Sequence, residues 1–187
     1  MTENLFAKIV HPCQGVENIS SSQIQFRPLQ ESDFETLLNW LNQSHVQQFY
    51  QTSEVDFATV VGRYTSRLLG LEPVECWLAL ENGREFGYLQ RYQLQDFPDY
   101  AHTIGQTQGW AIDLLVSQEG LGRGSSMLQQ FCHQFPELYW IGHDCRNVRA
   151  AAASLKAGFV QHGLYQEQDY QHIRLRWGHR GELDDFT

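Results

Sequence analysis

Four features are scarce or missing in this 187-residue chain: paired cysteines, metal-ligand clusters, long apolar runs and positive charge. The four cysteines, Cys13, Cys76, Cys132 and Cys145, are scattered and form no CxxC pair. That argues against a disulfide framework or a structural zinc and leaves buried free thiols as the expectation. His143-Asp144-Cys145 comes nearest to a ligand cluster. Alternation along a strand separates Asp144 from its two neighbours, and no second ligand pair has metal spacing, so no metal is expected. No run approaches the roughly 18 apolar residues that span a bilayer, and the N-terminus lacks the charged-then-apolar pattern of a secretion signal. The expectation is a cytoplasmic protein with no membrane partner. Lys+Arg number 13 against 22 Asp+Glu, a formal charge of −9. Nucleic acid, whose phosphates demand a basic face, is not an expected partner. A small cationic ligand suits an acidic field, although solubility alone accounts for the charge equally well.

What is present reads as one mixed α/β domain with no internal repeat and no linker. Residues 1–22 are polar, with Pro12, Gly15 and Ser20-Ser-Ser22, and read as an N-terminal extension to a domain covering 23–187. Gln23 to Pro28 alternates as a first strand. Ser32 with Glu35 has capping-box spacing ahead of Phe34, Leu37, Leu38 and Leu41 on one helical face. A short helical piece from His45 to Tyr50 and a longer helix from Asp56 to Leu69 follow. Glu75 to Glu81 and Glu85 to Gln95 form a hairpin about Asn82-Gly83. Asp96 to Gln108, rich in turn residues, reads as a loop. Then come a strand leading to Ser117, a helix over 125–134, a strand over 138–143, a helix over 147–157 ended by Gly158, and two closing strands over 159–165 and 171–177.

The most informative stretch is Gly109-Trp-Ala-Ile-Asp-Leu-Leu-Val-Ser117 with Glu119-Gly-Leu-Gly-Arg-Gly-Ser-Ser126 behind it. An apolar strand broken by one acid, Asp113, runs into alternate glycines and then small residues that open a helix. Backbone amides stripped of side chains at a helix N-terminus form a site for phosphate. The loop lacks the Gly-Lys-Ser/Thr ending of an NTP-binding loop and the glycine spacing of a dinucleotide fold. A strand-to-helix turn with three glycines is more often only a tight turn.

A second element, Asn147-Val-Arg-Ala-Ala-Ala-Ala-Ser-Leu-Lys-Ala-Gly-Phe159, joins this loop in a pattern that resembles the GNAT N-acetyltransferase superfamily. The family's loop has the form Arg/Gln-x-x-Gly-x-Gly/Ala; here Leu121 and Ser126 stand at its ends. The resemblance covers about residues 23–177 and implies a single GNAT-like domain, a central mixed, mostly antiparallel sheet flanked by helices. Arg27-Pro-Leu, Trp40-Leu-Asn-Gln-Ser-His45, Phe86-Gly-Tyr-Leu-Gln-Arg-Tyr92, Ile112-Asp113 and Leu121-Gly-Arg-Gly124 are most similar to the aminoglycoside 6'-N-acetyltransferases.

That resemblance implies acetyl-CoA as co-substrate and a small cationic amine, an aminoglycoside, as acceptor, with antibiotic resistance as a role. It implies Asp113 as the base that takes a proton from the amine and a backbone N–H near Leu115 polarising the acetyl carbonyl. Leu115, Val116, Leu121, Gly122, Arg123, Gly124, Ser125, Ser126 and Asn147 would hold the cofactor. Gln90, Tyr92, Asp113, Asp144 and Asp169 would line the amine cleft. Asn147 reads equally as a helix N-cap. Ser154 occupies the position where many family members carry a tyrosine that protonates the leaving thiolate, and a serine hydroxyl is a far weaker acid. Acylation of N6-hydroxylysine in siderophore synthesis, acetylation of another small polyamine, and CoA binding without catalysis are the alternatives. Monomer and homodimer are both compatible with the sequence.

Overall fold

The computed structural model describes residues 23–51 and 53–178; the expected N-terminal extension lies outside them. Strand β1 (Ile24–Pro28) leads into helices α1 (Phe34–Leu41), α2 (Ser44–Gln47) and α3 (Phe57–Leu68). Strands β2 (Glu75–Glu81) and β3 (Arg84–Gln93), helix α4 (Pro98–Ile104), β4 (Trp110–Val116) and α5 (Arg123–Gln134) follow. The described chain closes with β5 (Tyr139–Asp144), α6 (Val148–Ala157), β6 (Val160–Glu167) and β7 (Tyr170–Trp177). The seven strands form one sheet in the order β1-β2-β3-β4-β5-β7-β6.

Every neighbouring pair is antiparallel except β4 and β5. That parallel pairing is confined to Trp110↔Tyr139 and Ala111↔Trp140. Along the rest of its length β4 is held by β3, from Gln93↔Trp110 to Gly87↔Val116, and β5 by β7, from Tyr139↔Trp177 to Asp144↔His172. Each strand is anchored on its outer side, so the two part beyond Ala111 and Trp140 and leave a wedge in mid-sheet.

Period-two alternation sorts the core onto two faces. Tyr88 and Leu115, opposite each other in the ladder, pack with Leu78 under α1 and α3. Leu89 and Ile112 point the other way, toward Leu128 and Phe131 of α5 and Ala157 of α6. The same alternation puts Cys76, Gln90 and Asp113 in one transverse row across β2, β3 and β4, on the α3 side.

Two local expectations need correction. The loop expected over 96–108 contains α4, whose Pro98 sits at the helix start and whose Gly105 ends it in the left-handed region at φ 65°. Proline there gives up only an N–H that has no helical partner, so residues that read as loop formers act as helix boundaries. The α4 residues Ala101 and Ile104 are buried against Leu94, Ala111 and Trp140. The capping box at the start of α1 is also not Ser32 with Glu35: it is formed by Gln30 and Asp33 around a single 3-10 turn, Glu31–Asp33. Asp33 is drawn into that role because its carboxylate takes a two-pronged contact from Arg27 at 2.6 and 2.8 Å while accepting from the Gln30 N–H at 2.8 Å.

Candidate active site

A cleft of about 1680 Å³ opens over the wedge between β4 and β5 and reaches from α3 to α6. Asp113 lies in it, half-buried. Its row neighbour Gln90 donates from Nε2 to Asp113 Oδ2 at 2.9 Å. The Gln90 amide cannot turn round, because its Oε1 accepts from Arg67 Nη1 at 2.7 Å and from the Tyr88 hydroxyl at 2.8 Å. A phenol has one proton, so Tyr88, 3.1 Å from Cys76 Sγ, accepts from that thiol while it donates to Gln90. Arg67 is held in turn by Glu72, at 3.0 and 3.1 Å.

Burial pushes the Asp113 carboxyl above the usual carboxylate range. The Gln90 hydrogen bond pulls it back, Glu167 pushes it up again, and Arg67 and Tyr92 favour the anion. An acid tuned upward in this way is a better base near neutral pH than an exposed aspartate, because basicity rises with pKa. Tyr50, Tyr92, Tyr100 and Tyr165 line the same cleft. Burial raises the pKa of each phenol above its ordinary value, so all four stay neutral and present rings and hydroxyls to a ligand.

The other half of the cleft is made chiefly by backbone. Beyond Ala111, the edge of β4 through Leu115 and Val116 faces away from β3 with no β5 partner, which leaves main-chain groups open to a ligand. His45 Nε2 donates to the Val116 carbonyl at 3.0 Å and ties α2 to the end of that edge. Gly122 is the N-cap of α5 at φ 66°, in the region that glycine enters most readily. Gly122 to Ser125, which open α5, line the cleft, and the first N–H groups of a helix have no helical partner and suit an anion.

The structure brings several expected site residues together and leaves others aside. Gln90, Tyr92, Asp113, Asp144, Leu115, Val116, Leu121 to Ser125, Asn147 and Ser154 all line the cleft. Ser126 is exposed on α5 and does not line it. Asp169 sits in the exposed turn between β6 and β7, also outside the lining. Glu167, two residues earlier, is the acid that this hairpin contributes to the cleft. Asp144 is occupied by Arg146, which contacts both of its oxygens and holds its pKa down to about 2. Arg123 turns back to Glu81 at 3.0 Å. Asn147 caps α6 by accepting from the Ala150 N–H at 3.1 Å. Among the described residues no three His, Cys, Asp or Glu converge as metal ligands. Cys76, Cys132 and Cys145 are free thiols.

With that geometry in view, comparison with known proteins places the chain. Residues 30–166 match a family model described as an acetyltransferase (GNAT) domain. The chain belongs to that family. Aminoglycoside N(6')-acetyltransferase type 1 of Klebsiella pneumoniae is 28% identical over 170 residues, covering 80% of this chain and 80% of the relative. The protein of the same name from Serratia marcescens matches to the same extent. Two solved structures share the fold. AAC(6')-Ib in complex with ribostamycin and coenzyme A has a TM-score of 0.70 at 23% identity, covering 88% of this chain and 98% of that one. AAC(6')-Ib with coenzyme A and kanamycin has a TM-score of 0.68 at 24% identity, covering 83% and 95%.

Several residues of the acetyltransferase cleft escape sequence reasoning. Arg67 and Glu167 reach it from α3 and β6, and Tyr100, Tyr165 and His143 complete its walls. One signal was available: Arg67 follows Tyr64 by three residues, which places a cation on the inward face of α3.

Proposed function

We propose that this acetyltransferase carries the acetyl group of acetyl-CoA to an aminoglycoside amine, the 6' amine. The observation that carries the reading is the Asp113–Gln90 pair, an acid of raised pKa held on the floor of a cleft walled by neutral tyrosines and a second acid, Glu167. Such a cleft offers carboxylates for ammonium groups and rings for sugar faces. The names of the two curated relatives point to the same substrate class.

The residues present fit the co-substrate. The N-terminal turn of α5 behind Gly122 suits a diphosphate, and the unpartnered edge of β4 suits an extended amide-bearing arm. A main-chain N–H near Leu115 polarises the thioester carbonyl. The incoming ammonium first loses a proton, because only the neutral amine has a lone pair. Asp113 accepts that proton, directly or through water, and the amine attacks the carbonyl carbon. Cytoplasmic residence accords with three unpaired thiols.

Thiol release from acetyl-CoA with an aminoglycoside, followed by mapping of the acetylated nitrogen, tests the reading. Acetylation at 6' is expected, and absence of thiol release with every amine offered would overturn it.

A further inference from the structure

Gly142 on β5 has no side chain, and the space beside it is taken. A Cβ there would collide with the hydroxyl oxygen of Tyr165 and lie 3.0 Å from its Cζ. Tyr165 belongs to β6, two strands away: it pairs with His172 of β7, and His172 pairs in turn with Asp144 of β5. Its ring stacks on His172 with centroids 5.2 Å apart, so the side chain passes over β7 and sets its hydroxyl on β5. Pairing between β4 and β5 ends at Ala111↔Trp140. Asp113 and Gly142 each lie two residues further on, so they continue that row on one face of the sheet, on opposite sides of the wedge. Both line the cleft, and so does Tyr165. Burial, with the Glu167 and Asp113 charges adding to it, keeps the Tyr165 phenol neutral.

A phenol hydroxyl has one proton to donate and lone pairs to accept with. The Tyr165 proton is directed at Glu167 Oε2, 3.5 Å away, which leaves the oxygen free to act as an acceptor toward the wedge. An ammonium carries only donors. Two acceptors that share one ammonium stand about 4.7 Å apart, the order of an inter-strand spacing, so facing positions on β4 and β5 suit that geometry. We infer that Tyr165 holds the acceptor amine: its hydroxyl oxygen accepts an N–H from the nitrogen that Asp113 deprotonates, and Gly142 is the gap that admits it.

The inference rests on the acetyl-transfer reading. An ammonium between the two groups gives one N–H to Asp113 and another to Tyr165. Once the first proton has passed to Asp113, the neutral amine keeps two N–H groups and gains a lone pair. The bond to Tyr165 then restrains rotation of the nitrogen and so fixes the direction of that lone pair. Tyr165 itself neither gains nor loses a proton. Gly142 touches no substrate and acts only through the position it gives to Tyr165.

Thiol release with kanamycin by the wild-type protein, Tyr165→Phe, Gly142→Ala and the double variant tests this. Calorimetric titration of kanamycin into each protein saturated with coenzyme A gives a second readout, and melting curves control for folding. Tyr165→Phe removes one oxygen and keeps the ring. It is expected to lower kcat/KM for kanamycin about tenfold and to weaken kanamycin binding severalfold, with the acetyl-CoA KM within about twofold. Gly142→Ala, which evicts the hydroxyl but leaves it in the chain, is expected to do the same. The double variant is expected to be no worse than either single, because both changes remove one contact. Unchanged kcat/KM in Tyr165→Phe, a matching rise in the acetyl-CoA KM, or effects that multiply in the double variant would each overturn the inference, while thiol release by the wild-type protein upholds the acetyltransferase reading. Silence of the wild-type protein with every amine would overturn both. Should Gly142→Ala fail to fold, the Tyr165→Phe values alone decide.

Discussion

The two halves of the cleft are built from different materials. The half assigned to acetyl-CoA is mostly main chain: an unpartnered strand edge, a left-handed glycine and the free N–H groups of α5. The half assigned to the amine is side chain: Asp113 and Gln90 from β4 and β3, Arg67 from α3, Glu167 from β6, and tyrosines from four separate stretches. Backbone groups are supplied by any sequence that folds this way, so they suit a ligand that does not change. Side chains can be exchanged singly, so they suit the partner on which family members differ. The first half should govern affinity for the cofactor, and the second should govern turnover and choice of amine.

Substitutions on either side can sharpen that division or break it. Asp113→Asn keeps the shape and the Gln90 contact but removes the base; kcat is expected to fall on the order of 10²- to 10³-fold, with acetyl-CoA affinity by calorimetry within about twofold. Gly122→Val places a β-branched residue at positive φ, at a cost of roughly 1–2 kcal/mol, and should raise the acetyl-CoA KM about tenfold while sparing kcat at saturation. If Gly122→Val lowered kcat alone, the division would not hold.

Gln90→Leu addresses the tuning of Asp113. The acid's pKa is already raised by burial, and the Gln90 hydrogen bond lowers it. Losing that bond raises it further. The base is active only when deprotonated, so activity, lost as pH falls through this pKa, should be lost at a higher pH in the variant, read from kcat/KM against pH. Arg67→Met acts one step further out and should lower kcat only several-fold, about 1 kcal/mol, by freeing the Gln90 amide to rotate. Glu167→Gln should raise the KM for the amine by about threefold to tenfold, whereas Asp169→Ala should change it by less than about twofold. Equal effects from these last two would place the turn of the β6–β7 hairpin in the cleft after all.

The same contrast explains what the sequence could reveal. The GNAT family and its fold were legible because the glycine loop and the Asn147–Phe159 element are contiguous segments that carry their own geometry. Asp113 stood out as the single acid in an apolar strand. Arg67, Glu167, Tyr100 and Tyr165 are brought in by strand register and helix packing over long chain separations, and no local pattern marks them. Asp169 and Glu167 differ by two positions on a hairpin whose strands run to Glu167 and resume at Tyr170. Only the extent of pairing decides which of the two faces the cleft. Helix α4 was missed because its proline and glycine mark helix ends and loops alike.

The most direct test of the acetyl-transfer account is thiol release from acetyl-CoA with kanamycin, tobramycin, spermidine and N6-hydroxylysine in parallel, by the wild-type protein and by Asp113→Asn. Turnover confined to the two aminoglycosides and lowered on the order of 10²- to 10³-fold in Asp113→Asn is the expected result. Turnover on hydroxylysine alone, or wild-type rates in Asp113→Asn, would contradict it.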